Sequence, residues 1–133
     1  MSEKHYDVFL SYSHKDRPWV TEFVSALETS GVKTWSDADI APGERWQEKM
    51  QEALRESSTL IMVLSPNNTQ SHWMFFELGA AIGGEKRIIP ILLNELDIGR
   101  IPVALRQFQA LRESSPQEAG KRVAEVLDKI QIH

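Results

Sequence analysis

The chain has no cysteine. That excludes disulfides and thiolate metal sites, and it is compatible with a reducing compartment without requiring one. No apolar run approaches the roughly 20 residues of a membrane helix, and the first residues, MSEKHYDVF, are charged where a secretion signal would be apolar. Positive charge is not in excess: 15 Lys and Arg against 19 Asp and Glu leave a net charge of −4. No basic field therefore invites nucleic acid or anionic lipid. No GxGxxG follows the first apolar run, so the dinucleotide fingerprint is missing, and no GxxxxGK followed by Ser or Thr marks a P-loop. His5, His14, His72 and His133 have no HExxH or similar metal spacing. Internal repeats, low-complexity segments and linkers are lacking too. A length of 133 residues with 41% hydrophobic content suits one domain over residues 1–133. The expectation is a soluble cytoplasmic domain with no metal and no cofactor.

The rest of the chain is organised around residues 59–84, TLIMVLSPNNTQSHWMFFELGAAIGG. Its opening run, Leu60-Ile61-Met62-Val63-Leu64, is short, continuous and bounded by turn residues, the pattern of a strand buried on both faces. Ser65-Pro66-Asn67-Asn68 ends it. A helix follows from about Ser71 to Ile82, closed by Gly83-Gly84. Trp73 and Glu77 are four apart and share a face of that helix. A lone acid among Phe75, Phe76 and Leu78 is the most unusual local feature of the sequence.

Taken in order, 7–12 reads as a first strand, and His14-Lys15-Asp16-Arg17-Pro18 as a loop in which Asp16 or Arg17 caps a helix with Pro18 in its first turn. Val20, Phe23, Val24 and Leu27 repeat at helical spacing until Gly31. Residues 32–35 form a second strand, and the loop from Ser36 to Gly43 leads to a helix beginning near Glu44 or Arg45 with Trp46, Met50, Ala53 and Leu54 on its apolar face. Residues 87–93 are a fourth strand, edge-like or irregular at Pro90, which has no N–H for a ladder. One helical turn is expected near Val103, a brief fifth strand at 108–111, and a capping box, Ser115-Pro116-Gln117-Glu118, before a last helix with Ala119, Val123, Val126, Leu127 and Ile130 inward.

Five strands alternating with helices predict an α/β fold: a flavodoxin-like, five-stranded parallel sheet in the order 2-1-3-4-5 with helices on both faces. That order has a switch point between strands one and three, and ligands bind there, outside the carboxyl ends of the strands. Those ends deliver Tyr12-Ser13-His14 and Ser65-Pro66-Asn67, and the helix bearing Trp73 and Glu77 leaves from the second. The winding alone thus centres a candidate site on Glu77. A receiver domain of this fold would need a phospho-acceptor Asp where Ser65 stands.

These residues carry a resemblance. Tyr6 with the run Asp7-Val8-Phe9-Leu10-Ser11-Tyr12 resembles the first box of the TIR (Toll/interleukin-1 receptor) domain family. The loop from Ser36 to Gly43, with its Pro-Gly end, resembles the loop after the family's second strand. Trp73-Met74-Phe75-Phe76-Glu77 resembles the WxxxE motif of the family's bacterial, NAD-cleaving branch. Together, in this order, the motifs span about Tyr6 to Ile130.

The resemblance implies cleavage of NAD+ at the nicotinamide–ribose bond, giving nicotinamide with ADP-ribose or a cyclic ADP-ribose, in bacterial immunity or virulence. NAD+ is then substrate rather than cofactor. It implies Glu77 as the catalytic acid, Trp73 shaping its pocket, Trp46 against the nicotinamide or its ribose, and Tyr12, Ser13 and His14 at the nucleotide. It also implies that the loop from Ser36 to Gly43, with Asp37, gates the site and joins neighbouring subunits or other TIR domains. Phe9 and Ser11 read as structural. The alternative is a non-catalytic signalling module acting by TIR–TIR association; the acid at Glu77, which such adaptors usually lack, favours the enzyme.

Overall fold

The computed structural model describes residues 6–36, 43, 45–66, 72–93, 96–101 and 103–131. Among the described residues nine main elements follow one another: β1 (Tyr6–Ser11), α1 (Arg17–Thr29), β2 (Thr34–Trp35), α2 (Trp46–Glu56), β3 (Ser57–Leu64), α3 (His72–Gly83), β4 (Arg87–Leu92), β5 (Leu111–Arg112) and α4 (Pro116–Gln131). Short 3-10 turns at His14–Asp16, Ile98–Arg100 and Val103–Gln107 fill the connections. All pairings are parallel, and the strand order is β2-β1-β3-β4-β5, as the alternation of elements predicts.

β3 is central because its sequence is apolar on both faces. Successive strand residues point to opposite sides of the sheet. Leu60, Met62 and Leu64 enter one core layer with Phe9, Trp35, Leu54 and Ala81, under α2 and α3. Ile61 and Val63 enter the other with Val8, Leu10, Phe23, Leu27 and Val123, under α1 and α4. The strand expected at 60–64 therefore runs three residues further back, to Ser57, whose hydroxyl donates to Ala53 O at 2.7 Å.

Both outer strands are shorter than their apolar content suggests, because local backbone bonds claim their ends. At the end of α1, Gly31 takes φ +88°, Gly31 N donates to Glu28 O, and Val32 N donates to Leu27 O, each at 3.0 Å. These are the paired bonds of a Schellman motif. They commit Val32, so the strand expected at 32–35 is reduced to Thr34–Trp35. Likewise Phe108 N closes the preceding 3-10 turn on Leu105 O, and the strand expected at 108–111 moves to Leu111–Arg112. β5 opposes β4 only at Ile91 and Leu92. Pro90 therefore has a strand partner on the β3 side alone, where it opposes Met62, and its missing N–H disturbs no second ladder.

The capping box before α4 is half made. Ser115 Oγ accepts from Glu118 N at 3.2 Å, but the Ser115 N–H goes to Glu113 Oε1 at 3.3 Å instead of to Glu118. α4 packs on α1 through Gly120, where a Cβ would lie 2.5 Å from Ala26 Cβ. Trp19 Nε1 of α1 donates to Ser114 O just ahead of α4 at 3.0 Å, and Gln117 Nε2 of α4 donates to Glu22 Oε1 of α1 at 2.9 Å.

Candidate active site

The switch point lies where β1 and β3 end. From β1, Ser11 is the last ladder residue, opposite Met62. Its parity with Phe9 turns it toward the α2/α3 layer. α3 starts at His72 and carries Glu77 one turn before Ala81, a member of that same layer. Glu77 is 4% exposed, and Ser11 Oγ donates to its Oε1 at 2.7 Å. An ionised carboxylate is costly to bury without donors, and a hydroxyl at this distance is a short, charge-assisted one.

A second hydroxyl–carboxylate pair joins the same two chain segments. Ser65, fully buried just past β3, donates its hydroxyl to Asp16 Oδ2 at 2.6 Å. Asp16 occupies the N-cap position of α1, as the sequence suggests, but its side chain makes no capping bond. It is 7% exposed and faces the interior instead.

The remaining expected residues divide by side of the sheet. Tyr12 packs against the α1/α4 layer. With Arg17, Thr34 and Ser36 it lines a groove of ≈ 680 Å³ between α1 and β2 that Glu77 does not line. His14 is exposed, its ring centroid 6.2 Å from that of Tyr12. Arg17 Nη2 lies 2.7 Å from His14 Nδ1. Guanidinium can only donate, so Nδ1 is the acceptor and the imidazole proton belongs on Nε2. Ser13 serves locally, its hydroxyl accepting from Lys15 N at 3.3 Å. Trp73 lies one helical turn before Glu77 in α3 and Trp46 opens α2; both side chains lie outside the described residues, as does Asp37. Of the loop from Ser36 to Gly43, Gly43 has φ +90°.

Two residues at the site carry more than their sequence signals indicate. Ser11 reads as structural, and the available signal was its place: the last hydroxyl of a strand that ends at the switch point. Asp16 reads as a helix cap, and nothing in the local sequence separates a capping carboxylate from one turned inward. Asp7, in the same first box, is a backbone clamp: its Oδ2 accepts from Lys33 N at 2.8 Å, tying β1 to the approach to β2.

A doubly wound parallel sheet with a buried, hydroxyl-held carboxylate at its switch point defines the class: a flavodoxin-like α/β domain with its polar centre at the carboxyl ends of the strands. Within that class the chain belongs to the TIR domain family, whose model matches residues 8–127. It is 31% identical over 129 residues to human Toll-like receptor 6, covering 88% of this chain and 16% of that receptor. It is 29% identical over 96 residues to the 2' cyclic ADP-D-ribose synthase AbTIR of Acinetobacter baumannii, covering 68% of this chain and 36% of that enzyme. The crystal structure of the TIR domain of the Toll-related receptor TRR-2 from Hydra magnipapillata superposes with a TM-score of 0.70 at 29% identity, over 96% of this chain and 95% of that one. The chain thus spans a minor part of both curated relatives. Among the described residues, no helix is long and apolar enough to cross a membrane.

Proposed function

We propose that this domain cleaves NAD+ at the bond between nicotinamide and ribose, with Glu77 as the catalytic carboxylate. The observation that carries the reading is the buried Glu77 side chain, held by Ser11 at the carboxyl ends of the strands. The relation to a cyclic ADP-D-ribose synthase supports it. The chemistry asks for one acid. Nicotinamide leaves from a cationic pyridinium as a neutral group, so its departure needs no proton. Positive charge then develops on the ribose, as in glycoside cleavage, and a fixed carboxylate beside it stabilises that charge. Water as nucleophile gives ADP-ribose; attack by a group of the same molecule gives a cyclic product. In this reading Trp73 and Trp46 border the nicotinamide end, while Tyr12, Ser13, His14 and Asp37 serve the rest of the dinucleotide. NAD+ is a cytoplasmic metabolite, which fits a cytoplasmic role in bacterial defence or virulence.

The test is NAD+ loss and product identity by chromatography, with Glu77→Ala and Glu77→Gln beside the wild type. Turnover should disappear in both variants. Glu77→Gln should also keep or raise the melting temperature, because a buried neutral amide is less costly than a buried charge. Turnover that survives in either variant would remove Glu77 from the chemistry.

The second reading is a signalling module that associates with other TIR domains through the loop from Ser36 to Gly43. The identity to Toll-like receptor 6 favours it. It predicts NAD+ left intact at any protein concentration, with self-association lost when that loop is replaced.

A further inference from the structure

The β1–β3 ladder ends at the pair Ser11 and Met62. Past it the two chains separate: one enters the 3-10 turn His14–Asp16, and the other runs on to Leu64, which pairs with Leu92 of β4. Two side-chain bonds span the gap, and they are reciprocal. Ser11, from the β1 segment, donates to Glu77 of the β3–α3 segment; Ser65, from the β3–α3 segment, donates to Asp16 of the β1–α1 segment. Each segment contributes one hydroxyl and one acid. Asp16 and Ser65 are 7% and 0% exposed, and the Asp16 side chain makes no capping bond to the helix it heads. A carboxylate is rarely buried without a partner that requires it there, and charge-assisted bonds of this length hold geometry tightly.

We propose that Asp16 and Ser65 are positioning residues for Glu77: their hydrogen bond sets the separation of the two strand ends and so keeps the Glu77 carboxylate seated on the Ser11 hydroxyl. The effect on catalysis rests on the reading of Glu77 as the catalytic carboxylate; the effect on its geometry does not. A displacement of about 1 Å at a reacting group can cost on the order of a hundredfold in rate. Loosening the strand ends therefore lowers kcat, while the remaining substrate contacts hold KM.

The experiment compares Ser65→Ala, Ser65→Cys, Asp16→Ala and Asp16→Asn with wild type by two readouts: steady-state NAD+ kinetics, and the carboxyl carbon resonance of Glu77 in isotope-labelled protein at neutral pH. Ser11→Ala is the positive control for the resonance. Gly120→Ala, which meets α1 at Ala26 well along the helix from Asp16, is the control for lost stability alone. Expected are a fall in kcat of about ten- to a hundredfold in Ser65→Ala and Asp16→Ala with KM within about twofold. Asp16→Asn, which keeps an acceptor oxygen, should retain more of kcat than Asp16→Ala. The Glu77 resonance should move in the direction seen for Ser11→Ala and stay in place in Gly120→Ala. Ser65→Cys keeps the size and weakens the donor, so it answers the question if Ser65→Ala does not fold. A Glu77 resonance unmoved in folded Ser65 and Asp16 variants overturns the proposal, whatever the kinetics. If wild type leaves NAD+ intact, the enzymatic reading falls and the resonance still decides whether this pair positions Glu77.

Discussion

Glu85 shows how a single backbone angle departs from what a glycine-rich stretch implies. Gly83 and Gly84 read as the end of α3, and the helix does stop at Gly83. The residue in the left-handed region is nevertheless Glu85, at φ 56°. Lys86 N donates to Ala81 O at 3.0 Å and Glu85 N to Ile82 O at 3.1 Å. This is a Schellman closure with a glutamate where glycine is favoured. A Cβ in that region is strained by roughly 1 kcal/mol or more. Part of that gain is offset by the entropy a glycine loses on folding. Glu85→Gly is therefore expected to stabilise the fold by about 0.5–1 kcal/mol, read as a higher urea midpoint with unchanged slope. An unchanged or lowered midpoint would show that the angle costs little here. The stop of α3 was legible because glycines break helices. Which residue bends was not, since the closure is set by where the chain must turn into β4. Asp16 illustrates the same limit: a carboxylate before Pro18 has the sequence of a cap, and only the position of Ser65 in space reveals the alternative.

Among the elements, those whose apolar residues face two layers were the plainest in the sequence. β3 is continuous because every residue from Thr59 to Leu64 is buried, and α1 repeats Val20, Phe23 and Leu27 on one inward face. β2 and β5 were legible only as places, because two-residue ladders leave no period to read and neighbouring turns claim their ends. The α1–α4 contact was not legible at all. A glycine inside a helix reads as a weakness of about 1 kcal/mol against alanine, yet Gly120 is where the two helices approach, with Phe23 O as well as Ala26 Cβ in the way of a side chain. Both obstacles belong to the helix itself and not to the flexible end of a long side chain, so relief requires the helices to part. Gly120→Ala is expected to destabilise the domain by about 1–3 kcal/mol despite its better helix propensity. Gly120→Ala combined with Ala26→Gly should recover part of that loss. Chemical denaturation of the single and double variants measures both, and a Gly120→Ala protein as stable as wild type would contradict the close approach.

At the scale of the whole molecule, the catalytic reading meets an access problem. Glu77 is 4% exposed in the lone chain. The groove along α1 is lined by Tyr12, Arg17 and Ser36, and a second, of ≈ 480 Å³, by Leu54, Arg55, Ala80 and Lys86; Glu77 lines neither. A carboxylate so little exposed offers a dinucleotide little surface to reach. We propose that self-association through the loop from Ser36 to Gly43 favours a form that exposes more of it. A chain whose competent form is sparsely populated turns over in proportion to that fraction, and a partner that binds the competent form preferentially raises it. At concentrations far below the dissociation constant the dimer fraction grows in proportion to concentration. NAD+ turnover per mole of domain should then rise nearly in proportion to protein concentration, and level off once association saturates. Crowding agents should move the rise to lower concentration, and Glu77→Ala should remain flat throughout. The rise and the onset of dimer seen by analytical ultracentrifugation should coincide. Constant specific activity across a range in which the protein passes from monomer to dimer would refute assembly as the opening step and require the lone chain to admit its substrate unaided.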